Sequence, residues 1–575
     1  MIAMNRSSPA RARCRQVFGA WALLCALANS TPLSAAGQSP RADAVRRPNI
    51  LFILADDLGY SDLGAFGSEI RTPNIDGLAK QGRIYTNMYA TPLCAITRAE
   101  LLSGTDHHLV GLGTMLPPTG KQVGAPGYEG HLTDRALSIA EVLRDSGYHT
   151  YMAGKWHLGA QAEHSPRARG FESSFALLPG GGDHFLVDAA KLSATEKTTL
   201  LYRDNDELVQ PPRNFYSTDF FTDRLIADID RNRADGKPFF AYAAYTAPHW
   251  PLQAPDEFIQ RQRGRYDAGY EVIRQRRLER LKQLGIMPAQ MRPAIPVSSG
   301  LHASADTRMK VLPNDPGLKT WRELDAPTKQ KEARRMEIYA AMVENLDWNV
   351  GRLLDHLKAR NEFDNTLIVF MSDNGAASNG ATTRAAANMN NSFDNLGKRD
   401  SYVTFSPRWA EVSNAPLSLW KQTPAEGGIA VPLIVHMPGQ KDARPLSRAV
   451  VAVKDLAPTF AQIAGVENPG ARYQGRDVSP WTGTSLLALL DGQVPQVHAD
   501  DTVFADESDF EYYIRQGDWK AVWLKPPHGS GALKLYDIRN DRGETVDRAA
   551  QQPVIAKKMA DLYEQYVQRV GVAKQ

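Results

Sequence analysis

Short, continuously apolar segments that end in acidic residues limit most strongly how this chain can fold. The run 49–54 is apolar after its first residue and is followed by Asp56 and Asp57. The run 366–371 repeats this arrangement far downstream. Apolar runs of this length, without alternation of polar residues, are typical of strands buried on both faces of a parallel sheet. We therefore predict a central sheet that is mostly parallel.

Helical patterns separate these strand runs. The segment 137–145 leads into a Ser-Gly helix stop, and 332–360 carries apolar residues at helical spacing. A third apolar strand run begins at 237–242, between the two helical segments. The repeated alternation of strands and helices predicts an α/β fold, with a large, mostly parallel central sheet flanked by helices.

The pattern changes near residue 440. Beyond it, short strand-like runs at 502–505, 512–515 and 520–524 are separated by turn residues. A closing helix follows at 553–570. We predict a main domain over 47–440 and a smaller C-terminal α+β subdomain over 441–575, built on a short antiparallel sheet.

Residues from about 258 to 330 form a predicted insertion in the main domain. No strand run appears in it, and it begins with an Arg- and Gln-rich helical stretch over 258–284. An RNA-binding helix is one interpretation of that stretch. We prefer a solvated helix, because a net charge of +3 over 575 residues does not indicate a nucleic-acid-binding protein.

The N-terminal segment has the organisation of a signal peptide. Several arginines precede the apolar run 17–28, and the small residues Ser34, Ala35 and Ala36 follow it. A membrane anchor is the alternative, but the run is shorter than the roughly 20 residues that a spanning helix needs. We predict a signal peptide over 1–36 and a linker over 37–46. The protein is then exported, periplasmic or secreted from a bacterium, without stable membrane association.

Export limits the role of cysteine. Cys14 and Cys25 lie in the segment predicted to be removed, so the mature chain keeps Cys94 alone and forms no intramolecular disulfide. A lone cysteine in an oxidising compartment is a liability unless it is buried or committed to chemistry. An inert buried residue is the simplest interpretation of Cys94 by itself. Its sequence neighbours favour chemistry.

Two pairs of oxygen-bearing side chains follow the first and the last strand run. They are Asp56 with Asp57, and Asp373 with Asn374. Ligands of open α/β sheets bind in the crevice at the carboxyl ends of the strands. Three carboxylates gathered there would repel one another without a cation, and hard oxygen ligands suit calcium or magnesium rather than zinc or copper. Each pair alone is also compatible with a helix N-cap and a turn.

The segment 94–104 can bring an anion-binding group next to the cysteine. If a helix begins at Cys94, Arg98 lies one turn later on the same face. The first turn of such a helix also presents free N–H groups to an anion.

Four further side chains supply positive charge or protons. Lys155 and His157 stand two residues apart, which places them on one side of an extended chain. His249 follows the third strand run and can donate a proton, and Lys421 precedes a predicted glycine turn at 426–428. Gathered around one anion, these groups would bind a tetrahedral dianion or monoester. Taken singly, each is equally a solvated charge or a core histidine.

Together these motifs resemble the type I sulfatases of the alkaline phosphatase superfamily, most closely the bacterial arylsulfatases. The resemblance runs through most of the mature chain, over 47–50, 56–59, 72–76, 94–104, 154–159, 247–249, 372–375, 454–459, 535–537 and 543–544. It implies a catalytic sulfatase domain over 47–440. The implied substrate is a small sulfate ester, aryl sulfates above all.

The resemblance also implies a cofactor and a modified residue. Cys94 matches the cysteine that a formylglycine-generating maturation enzyme oxidises to 3-oxoalanine (formylglycine), whose hydrate is the nucleophile. One calcium ion would be held by the matured side chain at 94 and by four further ligands, Asp56, Asp57, Asp373 and Asn374.

Roles for the remaining site residues follow from the same resemblance. Arg98 and Lys155 would hold and activate the hydrated aldehyde. His157 would take a proton when the sulfated intermediate collapses. His249, as general acid, and Lys421 would contact the sulfate near the leaving oxygen. Physically this combines covalent catalysis with preorganised positive charge.

One residue departs from the family pattern. Ile96 stands where the maturation motif has proline. Proline would bias the preceding residue toward extended geometry, and isoleucine leaves the unfolded peptide freer. We therefore expect incomplete maturation of Cys94 in a foreign host.

Two other functions use the same residues. A phosphonate monoester or phosphodiester hydrolase would need the same scaffold and metal. A catalytically silent anion-binding homologue would result if Cys94 remains a thiol. The polar residues Asp106, His107 and His108, just after the predicted helix, we interpret as structural residues of a turn.

Overall fold

The computed structural model describes residues 47–186, 201–297, 318–378, 389–440, 444–526 and 528–574. The predicted signal peptide and linker lie outside the described residues, as does the part of the insertion over 298–317. Within the described ranges, no helix combines the length and the apolar character needed to cross a membrane.

A large sheet of ten strands forms the centre of the molecule. Its strands are β1 (Asn49–Ala55), β2 (Arg83–Tyr89), β3 (His149–Lys155), β4 (Ser173–Leu177), β5 (Tyr202–Asp204), β6 (Glu207–Val209), β7 (Phe239–Ala244), β8 (Thr366–Ser372), β9 (Ala430–His436) and β10 (Ser447–Ala452). They are ordered β10-β2-β9-β8-β1-β7-β3-β4-β5-β6, with β9 and β5 antiparallel to their neighbours and the other pairs parallel. The predicted α/β fold with a mostly parallel sheet is confirmed.

Helices cover both faces of this sheet. They are α1 (Pro73–Gln81), α2 (Cys94–Ser103), α3 (Ile139–Asp145), α4 (Ser217–Asn232), α5 (Asp256–Arg261), α6 (Tyr270–Gln283), α7 (Ala326–Ala359), α8 (Pro407–Ser413), α9 (Glu426–Ile429), α10 (Leu456–Ile463) and α11 (Leu487–Leu490). Local sequence explains several of the helix starts. For example, Ser138 and Glu141 form a reciprocal capping box at α3, and Asp325 caps α7.

The central strand β1 shows why its sequence is apolar throughout. Leu51 and Ile53 belong to one buried cluster, whereas Ile50, Phe52 and Leu54 belong to the cluster on the opposite face. Successive residues of a strand point to opposite faces, so a strand covered on both sides must be apolar at every position.

A second, smaller sheet follows. Its antiparallel strands are β13 (Val503–Ser508), β14 (Glu511–Gln516), β15 (Trp519–Trp523) and β16 (Leu533–Asp537), and it packs against α12 (Pro553–Val570). A two-stranded ladder, β11 (Arg472–Tyr473) with β12 (Arg476–Asp477), lies between the two sheets in sequence. The predicted C-terminal α+β unit on an antiparallel sheet is thereby confirmed.

Several elements lie between the boundary predicted near residue 440 and the small sheet. The edge strand β10 pairs in parallel with β2 and so belongs to the large sheet, and α10 packs into the core beneath it. The small sheet begins only at Val503. Because β10 is an edge strand with an exposed Arg448, it lacks the continuous apolar run that marks the inner strands.

The strand β9 escaped prediction because it contains Pro432, which argues against a central strand. The structure accommodates this proline at an irregularity. Pairing of β9 with β2 shifts register between Tyr85 and Met88, and Pro432 lies opposite that shift, between Val431 and Leu433. A proline without an N–H is tolerated where the ladder is already interrupted.

The Arg- and Gln-rich stretch 258–284 forms α5 and α6 rather than one solvated helix. Arg277 is fully buried, with Nη1 2.6 Å from Asp62 Oδ1 and Nη2 2.8 Å from Glu69 Oε1. It therefore fixes the loop that follows β1. The interpretation of α6 as wholly solvated was wrong, because a buried arginine paired with two carboxylates cannot be recognised from helical spacing alone.

We predict that Arg277→Ala destabilises the protein strongly. The change leaves the buried Asp62 and the partly buried Glu69 without their cation, and loss of one partner of a buried pair costs about 3–5 kcal/mol of unfolding free energy. Chemical denaturation followed by tryptophan fluorescence measures the effect. Arg276→Ala, at the exposed neighbouring position of the same helix, should change stability by less than about 0.5 kcal/mol. Equal losses in the two variants would contradict the prediction.

Candidate functional site

The two acidic pairs meet at one edge of the large sheet. β1 and β8 are neighbouring parallel strands, and Ala55 pairs with Ser372, so the residues that follow them are adjacent. Asp57 N–H donates to Asp373 Oδ1 over 3.2 Å, and Asn374 Nδ2 donates to Asp57 Oδ1 over 2.7 Å. All four side chains of the two pairs are buried. The predicted convergence of the strand ends is present.

Each carboxylate of this group is paired with a cation. The contacts are Lys155 Nζ to Asp56 Oδ2 at 2.7 Å, Lys421 Nζ to Asp57 Oδ1 at 2.6 Å and Arg98 Nη2 to Asp373 Oδ2 at 2.8 Å. Arg98 also donates from Nη1 to the carbonyl oxygen of Lys155, at 2.8 Å. Three positive and three negative groups are thus interlocked in a buried cluster.

These cations come from three different parts of the fold. Arg98 lies on α2, one turn after Cys94, as predicted. Lys155 is the last residue of β3, and Lys421 lies in the segment between α8 and α9. Because long, charged side chains are stable in the interior only when they are paired, the cluster fixes these three elements relative to the strand ends.

Three oxygen atoms in the cluster still lack a partner. Asp56 Oδ1, Asp57 Oδ2 and Asn374 Oδ1 are buried, and no hydrogen-bond donor within the described ranges reaches them. Buried acceptors without a donor are costly, and a hard divalent cation satisfies several at once. The residues therefore fit a calcium ion held by oxygen ligands.

Cys94 lies beside this group. It is buried at the start of α2, with Sγ 3.4 Å from Lys421 Nζ and 3.9 Å from Met115 Sδ. Its Sγ and carboxylate oxygens of Asp56 and Asp373 lie within 4.8 Å of one another. The predicted nucleophile position, acidic pairs and cations therefore occupy one site.

Two histidines reach the same site from separate loops. His249 Nε2 is 3.6 Å from Asp57 Oδ2, and its Nδ1 is 2.5 Å from the Trp250 carbonyl oxygen. That carbonyl can only accept, so Nδ1 carries a proton and Nε2 faces the carboxylate. His157 Nδ1 is buried without a hydrogen-bond partner within the described ranges.

The surrounding charges shift the pKa values of these groups. Burial raises the pKa of Asp57, but the positive charge of Lys421 and then His249 outweighs it, so the pKa is lowered. Burial and the nearby Asp56 carboxylate raise the pKa of Asp373. Burial, reinforced by Lys155, holds the pKa of His157 well below its usual value. Burial also lowers the pKa of His249 well below its usual value, although the negative charge of Asp57 opposes this shift.

Local geometry differs from expectation at two places. We predicted an extended chain through Lys155 and His157, but β3 ends at Lys155 and His157 adopts a left-handed φ of 61°. Non-glycine residues in this region are uncommon and often stand at functional sites. The predicted glycine turn at 426–428 is instead the first part of the short helix α9.

Residues that sequence analysis did not select also shape the site. Tyr242 Oη lies 3.5 Å from Arg98 Nη1, and Met115 contacts Cys94. At Gly180, an added Cβ would lie 2.4 Å from His157 Cε1. A signal for the last position was present, since Gly180 begins a run of three glycines directly after a strand.

The chain is similar to known proteins over most of its length. The sequence profile of the family described as Sulfatase matches residues 48–466. An uncharacterized sulfatase of Schizosaccharomyces pombe is 40% identical over 547 residues, which cover 92% of this chain and 94% of that protein. An arylsulfatase of Klebsiella aerogenes is 38% identical over 449 residues, covering 77% of this chain and 92% of that protein.

A solved structure shares the fold over the same extent. The crystal structure of Ps i-CgsB in complex with k-i-k-neocarrahexaose superposes with a TM-score of 0.64 at 26% sequence identity, covering 92% of this chain and 94% of that one.

We predict that Asn374→Ala weakens calcium binding while leaving the fold intact. The change removes the unpartnered Oδ1 of Asn374 but none of the three ion pairs. Asp373→Ala would in addition leave the buried Arg98 without its carboxylate partner. Calcium affinity, measured by titration calorimetry, should fall at least about tenfold, the loss of roughly 1.4 kcal/mol. Asn349→Ala, which removes a buried amide from α7, serves as control. Unchanged calcium affinity of Asn374→Ala would contradict the assignment.

Proposed function

The chain belongs to the sulfatase family, and we propose that it hydrolyses small sulfate monoesters, aryl sulfates among them, with a formylglycine formed from Cys94 and one calcium ion. Hydrolysis of sulfate esters follows from family membership. The residue assignments, the calcium ion and the aryl preference are the proposal.

The charge balance of the site is the observation that carries this proposal. Three carboxylates are matched by three cations, so the cluster is close to neutral by itself. A bound calcium ion would leave an excess of two positive charges beside residue 94. That excess suits a sulfate monoester before the reaction and a sulfate dianion after it. Positive charge fixed in a water-poor site stabilises such an anion far better than the same charge in water.

The residues of the site fit both the calcium ion and the matured side chain at position 94. Asp56, Asp57, Asp373 and Asn374 would bind calcium through oxygen, and the matured side chain at position 94 would stand next to it. When bound, calcium and the hydrated aldehyde would supply charge neutralisation and a nucleophilic hydroxyl, respectively.

The positive side chains orient the reacting groups. Lys421, in contact with both Asp57 and Cys94, brings positive charge to the nucleophile position. Arg98 and Lys155 hold the carboxylates Asp373 and Asp56 in place and extend the positive wall of the site. Because each of these cations is buried and paired, little reorganisation is needed when an anion enters.

The two histidines divide the proton transfers in this proposal. His249 has its Nδ1–H fixed by the Trp250 carbonyl oxygen, so a second proton, taken up at Nε2, is the one that the ring would give to the leaving oxygen. His157, with an unpartnered ring nitrogen, takes a proton from the group at position 94. General acid–base steps of this kind contribute about 10²–10⁴-fold to rate.

The Klebsiella aerogenes relative supports the aryl preference, because that protein is an arylsulfatase. A phosphonate monoester or phosphodiester hydrolase on the same scaffold remains the second candidate, and parallel assays of both ester classes decide between them. The N-terminal segment supports export, and a formylglycine-generating maturation enzyme is the partner that the proposal requires. Determining the N-terminus of the secreted protein tests the predicted signal peptide and linker, 1–36 and 37–46.

We predict that His249→Ala impairs substrates with poor leaving groups most. Good leaving groups, such as nitrophenolate, need little protonation, so their rates should change little, whereas alkyl-like leaving groups should lose about 10²–10⁴-fold. The measurement is kcat/KM across a series of aryl and alkyl sulfates of rising leaving-group pKa.

His184→Ala provides the matched control for that series. His184 is a buried histidine 2.9 Å from the His249 carbonyl oxygen, with its other nitrogen 2.8 Å from Ser217 Oγ. Its loss disturbs packing without removing the proton donor, so the decrease should be equal for all substrates. If His249→Ala also lowers all rates equally, His249 is not the general acid.

We predict that Ile96→Pro raises the fraction of matured Cys94 in a foreign host. Position 96 lies in the first turn of α2, where N–H groups have no intrahelical acceptor, so proline fits there. Mass spectrometry of the Cys94 peptide gives the ratio of aldehyde to thiol, and activity per molecule should rise with it.

The control is Ile96→Val. Ile96 is fully buried, and valine also loses packing, at about 0.5–1.5 kcal/mol, without restricting φ. It should leave the aldehyde fraction unchanged. Full conversion of the natural sequence would show that isoleucine is tolerated. A persistent thiol in the native host, together with absent sulfatase activity, would instead favour an anion-binding homologue.

A further inference from the structure

A second buried group of potential metal ligands lies at the other end of α2. After Ser103 the chain turns and places Asp106, His107 and His108 against β13 of the small sheet, where Asp506 and Glu507 lie. All these side chains are buried. The sequence interpretation of 106–108 as residues of a turn therefore describes only their backbone, because the histidine side chains also join the segment after α2 to the small sheet.

His108 has a complete set of partners. Its Nδ1 is 3.0 Å from Asp106 Oδ1 and its Nε2 is 3.1 Å from Glu507 Oε2. Both partners are carboxylates, so both nitrogens carry protons and the ring is an imidazolium. These hydrogen bonds overcome burial and raise the pKa of His108 to about 10. Tyr566 Oη donates to the second oxygen of Asp106, over 2.9 Å.

His107 is arranged differently. Its Nδ1 is 2.7 Å from the Leu112 carbonyl oxygen, which can only accept, so Nδ1 carries a proton. Its Nε2 points to Asp506 Oδ1, at 3.0 Å. A metal-binding histidine usually donates its other ring N–H to a carbonyl or carboxylate oxygen, as His107 Nδ1 does here.

Two carboxylates converge on this nitrogen. Ligand atoms of Glu100, His107 and Asp506 all lie within 4.8 Å of one another. The second oxygen of Asp506 is buried, and no donor within the described ranges reaches it; Asp506 itself is only 3% exposed.

We propose that Glu100, His107 and Asp506 bind a divalent transition-metal ion, of which zinc is the representative. One imidazole nitrogen with two carboxylates is a ligand set for zinc, manganese or iron rather than for calcium. The ion joins the last turn of α2 to β13. Its role is structural: it holds the small sheet against the helix whose first residue is Cys94, and it is separate from the calcium site.

The test is metal content after reconstitution. The purified full-length protein is stripped with a chelator, incubated with excess zinc chloride and desalted, and metals are measured by inductively coupled plasma mass spectrometry. We expect the natural protein to retain about one equivalent of zinc per chain. Asp506→Asn and His107→Gln, which keep shape but remove ligands, should lose it. No retained zinc in the natural protein, or retention unchanged in both variants, would overturn the proposal.

Two controls separate this site from its surroundings. Asp373→Asn removes a ligand of the calcium site and should keep the zinc at Glu100, His107 and Asp506. Glu507→Gln weakens the His108 pair without removing a zinc ligand and should also keep it. If zinc is lost in Asp373→Asn but kept in Asp506→Asn, it was bound at the calcium site and the proposal fails.

A spectroscopic measurement tests the proposed metal site in the natural protein, without any destabilised variant. Cobalt(II) replaces zinc in such sites and gives visible absorption bands whose intensity reports a low-coordinate environment with a nitrogen ligand. Cobalt added to the stripped natural protein should produce these bands, and zinc should abolish them in competition. Absence of any band above that of aqueous cobalt would indicate that His107 is simply a protonated partner of Asp506, which would overturn the proposal.

Discussion

Three buried ion pairs at the carboxyl ends of β1 and β8 hold the functional part of this molecule together. Each joins a carboxylate from a strand end to a cation from another element: Lys155 to Asp56, Lys421 to Asp57 and Arg98 to Asp373. A charge buried without its partner costs several kcal/mol. The strand ends, β3, α2 and the segment before α9 must therefore dock together, and the site is complete only when all of them are in place.

The helix α2 links this site to the rest of the chain. Its first residue, Cys94, lies beside Lys421, and its fifth, Arg98, pairs with Asp373. Its last turn carries Glu100, next to the histidines that contact β13. One short, fully buried helix therefore connects the centre of the large sheet with the small sheet. The two ends of one ten-residue helix thus lie beside Lys421 and beside the small sheet.

Sequence patterns predicted the structure correctly where the whole pattern lies within one segment of the chain. The strand ends were predictable because β1 and β8 are apolar throughout and stop at acidic residues, and because parallel strands end at the same edge of a sheet. The patterns failed where structure depends on distant residues. β9 is interrupted by a proline that only its irregular pairing with β2 explains, and the burial of Arg277 depends on Asp62 and Glu69, more than 200 positions away. The carboxylates of β13 that pair with His107 and His108 are 399 positions away.

Close approach of backbone segments explains how long cationic side chains from separate elements reach one small volume. At Gly154, an added Cβ would lie 1.8 Å from the Ala244 carbonyl oxygen, so only glycine lets β3 run this close to β7 one residue before Lys155. At Gly375, one residue after Asn374, an added Cβ would lie 1.8 Å from the Gly427 carbonyl oxygen. Real Cβ atoms do not tolerate such distances, so a side chain at either position would push the strands or loops apart. The positions of Lys155 and Lys421 beside the carboxylates are thus set by residues that have no side chain, which is why the charged residues alone do not define the site.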